Sequence, residues 1–116
     1  MKMKPDQVVK ALAALAQPTR LAIYRMLVAK GKGGMAAGQV ADKLKAPPAS
    51  LSFHFKALNH AGLVESTQDG RFIYYAANFD VMNGLVDYLT ENCCAGDSAQ
   101  CAPIIELSIN HDTTKA

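Results

Sequence analysis

Much of the usual chemical repertoire is missing from this chain. No cysteine occurs before position 93, and the three present, Cys93, Cys94 and Cys101, fall within nine residues. An odd thiol count argues against a closed disulfide framework. No apolar run approaches the roughly 18 residues that a transmembrane helix requires, so no membrane partner is expected. There is no Ser/His/Asp set, no Gly-rich phosphate loop and no pair of carboxylates placed for acid–base work, so nothing supports an enzyme. Internal repeats are absent, and the one low-complexity stretch is Lys30-Gly31-Lys32-Gly33-Gly34, a flexible loop. Lys2 and Lys4 precede an apolar stretch ending Ala14-Leu15-Ala16, as in a signal peptide. Lys10 interrupts that stretch and its periodicity is helical, so the expected location is the cytoplasm, where thiols stay reduced.

What is present is enough for one small domain. Half of the 116 residues are hydrophobic, and a chain of this size gains stability from dimerisation. The net charge of +2 conceals an asymmetry: residues 1–75 hold 11 Lys and Arg against 4 Asp and Glu, residues 76–116 only 1 against 6. A basic front suits a module that lays one surface on nucleic acid, although a solvated surface with chance clustering would look the same.

Apolar spacing predicts a helix carrying Val8, Leu12 and Leu15, ended at Gln17-Pro18-Thr19, then a second carrying Leu21, Tyr24, Leu27 and Val28 and stopping at Gly31. Ala37, Val40, Ala41 and Leu44 predict a third. The Lys45-Ala46-Pro47-Pro48 connection cannot be helical, and a fourth helix follows from about 49 to 61 with Leu51, Phe55 and Leu58 inward. Gly62 is the expected left-handed stop. Two β-rich runs, 63–67 and 71–76, flank Gln68-Asp69-Gly70 and predict a hairpin. A last helix runs from Phe79 to about Asn92, with Phe79, Met82, Val86 and Leu89 on one stripe and Val81, Leu85 and Tyr88 beside it.

Helix, tight turn, helix and hairpin is the order of a winged helix-turn-helix, in which the second helix enters the major groove and the wing reaches a neighbouring phosphate or the minor groove. The fold expected is mainly α with a small β-hairpin. Ser50, Ser52, Phe53, His54, Lys56 and Asn59 lie on or beside the outward side of the second helix, Gln39 precedes them on the first, and Arg71 sits at the wing. Small hydroxyls and cations can approach base edges and phosphates. A helical domain whose polar face merely stays wet is the alternative.

Three segments resemble the ArsR/SmtB family of metalloregulatory repressors. Leu12-Ala13-Ala14-Leu15-Ala16-Gln17-Pro18-Thr19-Arg20-Leu21-Ala22-Ile23 is similar to the family's opening. Residues 51–64, from Leu51-Ser52-Phe53-His54 to Gly62-Leu63-Val64, resemble its recognition helix, and Gly70-Arg71-Phe72-Ile73-Tyr74-Tyr75 its wing. The resemblance spans about residues 5–92, with the motifs in order. It implies a homodimeric repressor of double-stranded operator DNA that leaves when an inducing ion binds. It also implies a dimer interface of the first and last helices, here Val8, Leu12, Leu15, Met82, Val86 and Leu89. Two positions depart from the pattern. Phe53 stands where the family often has Arg or Gln; it can touch a thymine methyl but cannot make bidentate hydrogen bonds, which makes it the weaker candidate for sequence readout. The helix 35–42 lacks the Cys-x-Cys of many arsenic and cadmium sensors.

Cys93, Cys94 and Cys101 therefore carry the inducer expectation. Thiolates are soft ligands, and three of them suit As(III), or Sb(III), better than zinc, which takes four ligands in structural sites. Some arsenic-responsive members of the family place an adjacent cysteine pair and a third cysteine after the last helix, and this tail resembles theirs. Asp80 and Asp87 have no histidine between them and read as solvated charges. A redox switch, Hg(II), Cd(II), an organoarsenical and incidental clustering remain alternatives, as does a DNA-free metal carrier or interaction module. No organic cofactor is expected. The domain expectation is 1–92 for DNA binding and dimerisation and 93–116 for the cysteine-containing tail.

Overall fold

The computed structural model describes residues 2–93. Cys94 and Cys101, and all but the first residue of the expected tail segment 93–116, lie outside the described residues. Helices α1 (Pro5–Leu15) and α2 (Pro18–Lys30) are followed by a short strand β1 (Met35–Ala36). Then come α3 (Ala37–Leu44), α4 (Pro48–His60), the hairpin β2 (Val64–Asp69) and β3 (Phe72–Ala77), and α5 (Phe79–Thr90). This is the winged helix-turn-helix expected, with one strand more than the sequence revealed.

The joints are made by local chemistry. Gln17 caps α2 by accepting the Arg20 N–H at 2.8 Å, and Pro18 takes the first helical position, where no N–H is needed. Lys45 ends α3 in the left-handed region at φ 53°. Pro47 and Pro48 then start α4 at a fixed φ. α4 closes with Gly62 N–H on the Asn59 carbonyl (2.9 Å) and Leu63 N–H on that of Leu58 (3.0 Å), the paired bonds of a Schellman stop. Asn78 caps α5 through the Val81 N–H and donates its own N–H to Leu63 at 2.8 Å, tying α5 to the base of the hairpin.

In the hairpin, Asp69 pairs with Phe72, so the loop is Gly70 and Arg71 alone, shorter than the expected Gln68–Gly70. Gly70 has φ +65°, while Arg71 is not among the residues of positive φ. That is the pattern of a type II′ turn, whose first central position favours glycine. β1 adds to the other edge of β3 through Met35↔Tyr75 and Ala36↔Tyr74. The turn into β1 depends on Gly34: its φ is +71°, and a Cβ there would overlap the Tyr75 carbonyl.

The core is one cluster in which Ile23, Leu27, Leu51, Phe55, Leu58, Leu63 and Val40 are almost fully buried. α4 lies at its centre, against α1, α2, α3 and β2, and the Phe55 ring stacks on Tyr75 of β3 at 4.0 Å and 8°. Two core faces differ from expectation. On α1 the inward line is Val8, Ala11 and Ala14, which leaves Leu12 outside. On α2 it is Ile23, Tyr24 and Leu27, with Leu21 exposed because it lies about 110° from their mean direction at 100° per residue. Tyr24 brings a hydroxyl into the core with no hydrogen-bond partner among the described residues, and burial pushes its pKa above the ordinary 10.0.

Candidate nucleic-acid interface

The order α3, three-residue turn, α4 leaves one full side of α4 in solvent. With Leu51, Phe55 and Leu58 inward, the opposite side is the line Ala49, Phe53, Lys56 and His60, which falls within about 60° of arc. Residues 48–60 contain no Asp or Glu, so nothing on this helix repels a polyanion. Ser52, Phe53 and Lys56 are exposed as expected. Ser50 is also exposed, and its hydroxyl donates to the Pro47 carbonyl at 2.9 Å. Asn59 is held by its amide to the Val64 carbonyl at 3.2 Å, bracing α4 against β2. Ala49 and His60 were not singled out in the sequence, although their spacing to Phe53 and Lys56 places them on the same line.

Two expected DNA-facing residues are occupied elsewhere. Gln39 is exposed, but its amide oxygen accepts the Ala36 N–H at 2.9 Å and so caps α3. Only its amide donors remain for another molecule. His54 is half-buried and turned toward α2, with Nδ1 3.4 Å from a guanidinium nitrogen of Arg20. A guanidinium has no acceptor, so Nδ1 accepts and the proton of a neutral ring sits on Nε2. Arg20 also donates its Nε–H to the Ala14 carbonyl at 2.6 Å. It thereby joins the last turn of α1 to the middle of α4, a role that the motif around Pro18-Thr19-Arg20 did not reveal.

The wing presents Arg71 at its turn, exposed beside Phe72 (60% exposed) and Ile73 (43%). Tyr75 packs β3 of the wing against α4 through the Phe55 stack.

The residues expected at a dimer interface divide into two groups. Val8 belongs to the protomer's own core at 3% exposure, and Leu15 and Met82 are half-buried against that core. Leu12, Val86 and Leu89 are exposed, and Val9 joins them. These four put apolar side chains in solvent on the first and last helices, together the apolar strip. At the end of α5, Lys2, Met3, Gly84, Asp87, Tyr88 and Glu91 line a cleft of about 270 Å³ between the N-terminal segment and the helix. Cys93 follows, half-buried, four residues after Leu89. Among the described residues no group of three or more His, Cys, Asp or Glu side chains could hold a metal ion. No helix among them is long and apolar enough to cross a membrane.

Known proteins are similar to this chain in sequence and fold. A family model for a helix-turn-helix domain matches residues 15–67. The transcriptional repressor SdpR of Bacillus subtilis is 32% identical over 85 residues, which cover 73% of this chain and 91% of that protein. An ArsR-like transcriptional regulator from Rhodococcus sp. RHA1 has a similar structure, with a TM-score of 0.66 at 28% identity, covering 88% of this chain and 92% of that one. So does a homodimeric winged helix-turn-helix DNA-binding domain from Mycobacterium bovis, a possible ArsR-family transcriptional regulator. Its TM-score is 0.61 at 31% identity, covering 75% of this chain and 81% of that one.

Proposed function

Since the chain belongs to the ArsR family of DNA-binding transcriptional regulators, we propose that it is a homodimeric repressor whose operator is released when As(III), or Sb(III), binds Cys93, Cys94 and Cys101. Fold and relatives are those of regulators, not enzymes. The observation that carries the DNA-binding part is the outward side of α4: it presents Lys56, is free of acid, and is joined by the Phe55–Tyr75 stack to the strand that follows Arg71 at the wing's turn.

The inducer part is supported by the donor set. Only Cys93 is among the described residues, at the exit of α5, and two more thiols follow within eight residues. An As(III) hydroxide exchanges its three hydroxyls for three sulfurs: three thiols lose their protons, three waters leave, and no fourth ligand is required. Zinc would require a fourth. The site would lie one turn beyond Leu89, at the end of the helix whose strip serves the dimer. Capturing the ion there would tie positions 93, 94 and 101 to one centre. It weakens DNA binding by as much as the DNA-competent dimer binds the ion less well than the released one does.

A release titration tests the proposal: reduced protein on labelled operator, followed by anisotropy, with arsenite, antimonite, Hg(II), Cd(II) and peroxide added in turn. Arsenite should release wild type. The variant with all three cysteines changed to serine should keep its DNA affinity and stay bound, because serine is a hard, neutral oxygen donor. Release of that variant at the wild-type arsenite concentration would overturn the site. Release of wild type by peroxide but not arsenite would make the thiols a redox switch.

A further inference from the structure

The outward line of α4 is half apolar. Phe53 is 68% exposed, the highest value among the exposed large hydrophobic residues of the described chain. Ala49 precedes it by one turn on the same line. Among the described residues the Phe53 ring has one aromatic neighbour, an edge contact with His54 at 5.7 Å and 67°. His54 is itself in hydrogen-bond contact with Arg20, so the ring's support is fixed. Ser50 and Ser52 on either flank are small, and the phenyl group projects beyond them. Leaving such a ring in water forgoes the stabilisation of burying it, and none of the described residues covers it.

A partner that covers this line would meet Phe53 with an apolar surface and Lys56, one turn along, with an anionic one. The major groove does both. Each base-pair edge there presents donors and acceptors, and the one apolar group is the thymine C5-methyl. A ring pressed on any other edge would desolvate a polar group without replacing its hydrogen bond. We propose that Phe53, supported by Ala49, reads thymine methyl groups in the operator, so that this position of the recognition helix selects T·A pairs. The inference deepens the DNA-binding reading above and rests on it.

Selection from a random-sequence duplex library identifies the bound sequence, and replacing single thymines by deoxyuridine removes one methyl without altering a hydrogen bond. Binding should weaken about fourfold per contacted half-site, the value of one buried methyl group. Phe53→Ala should bind thymine and deoxyuridine duplexes equally. Phe53→Arg should move the preference at that position toward G, which arginine contacts bidentately. Circular dichroism checks that both variants fold, as exposure of the residue leads one to expect. A library without any enriched sequence overturns DNA recognition and this inference with it. An enriched sequence whose thymines can all be replaced without effect overturns the inference alone, as does equal methyl sensitivity in wild type and Phe53→Ala.

Discussion

Leu89→Glu should separate the dimer while leaving each protomer folded. The exposed strip consists of Val9 at 65% exposure, Leu12 at 40%, Val86 at 52% and Leu89 at 58%, about two complete side chains left in water. Burying one such side chain stabilises by about 1.5–3 kcal/mol. A two-fold contact uses the patch of both chains, which gives about 6–12 kcal/mol for the pair. Association costs about 4–15 kcal/mol in lost freedom, so a dimer built on this strip would have a limited margin in which each leucine counts. Removing Leu89 from both chains forfeits about 2–3 kcal/mol, and two carboxylates forced into the contact add a desolvation cost. The dissociation constant should rise at least about fifty-fold. Sedimentation velocity at micromolar concentration, with circular dichroism as the folding control, reads this directly. A wild-type monomer at that concentration, or a Leu89→Glu variant that sediments as wild type, would refute the assignment of this strip.

Three further outcomes follow from other sites. Gly34→Ala should destabilise by about 2–4 kcal/mol, combining the left-handed backbone with overlap on the Tyr75 carbonyl; a melting temperature equal to wild type would contradict the turn described. Tyr24→Phe should stabilise by about 1 kcal/mol because it removes a buried hydroxyl that lacks a partner, which raises the melting temperature by about 4–8 °C. The same hydroxyl holds its proton more tightly in the folded state than in the unfolded one, so its contribution is complete below pH 10.0 and is lost as pH rises above that value. Tyr24→Phe should therefore flatten the alkaline limb of the stability curve measured by urea titration. Lys56→Ala should weaken binding to every duplex and reduce the slope of log affinity against log salt by about one unit per bound protomer; an unchanged slope would remove Lys56 from the phosphate contacts.

The periodic elements and their order were legible in the sequence because each rests on local signals: Pro18 after Gln17, the Pro47-Pro48 pair, Gly62, and Asp69-Gly70 between β-rich runs. The strand Met35–Ala36 was not. It is two residues long and exists by pairing with Tyr74 and Tyr75, a partner nearly forty positions away that leaves no local pattern. The inward side of α1 was misread for a different reason. Hydrophobicity ranks Leu12 above Ala11, yet close helix packing takes the small side chain and leaves the large one for another surface. Among the candidate DNA contacts, Ser52, Phe53 and Lys56 could be placed by helical angle alone. Gln39 and His54 could not, because a cap bond to Ala36 and a contact with Arg20 decide where their side chains point.

That contact with Arg20 bears on how an event at one end of the molecule reaches the other. Leu12 lies on the apolar strip, and Ala14, two residues on, supplies the carbonyl that Arg20 holds at 2.6 Å. The same guanidinium meets His54 in the middle of α4 at 3.4 Å. A planar fork that engages two elements at once fixes their spacing in a way that a lysine, with its single flexible ammonium, does not. Displacement of α1 as the dimer rearranges would therefore carry the Ala14 carbonyl, and with it one end of the strut that positions the recognition helix. Packed interiors yield by stepping between arrangements rather than by gradual deformation. The half-site reading proposed for Phe53 would need α4 to enter two grooves at a set separation, so a small change of protomer angle would take one of the two helices out of register.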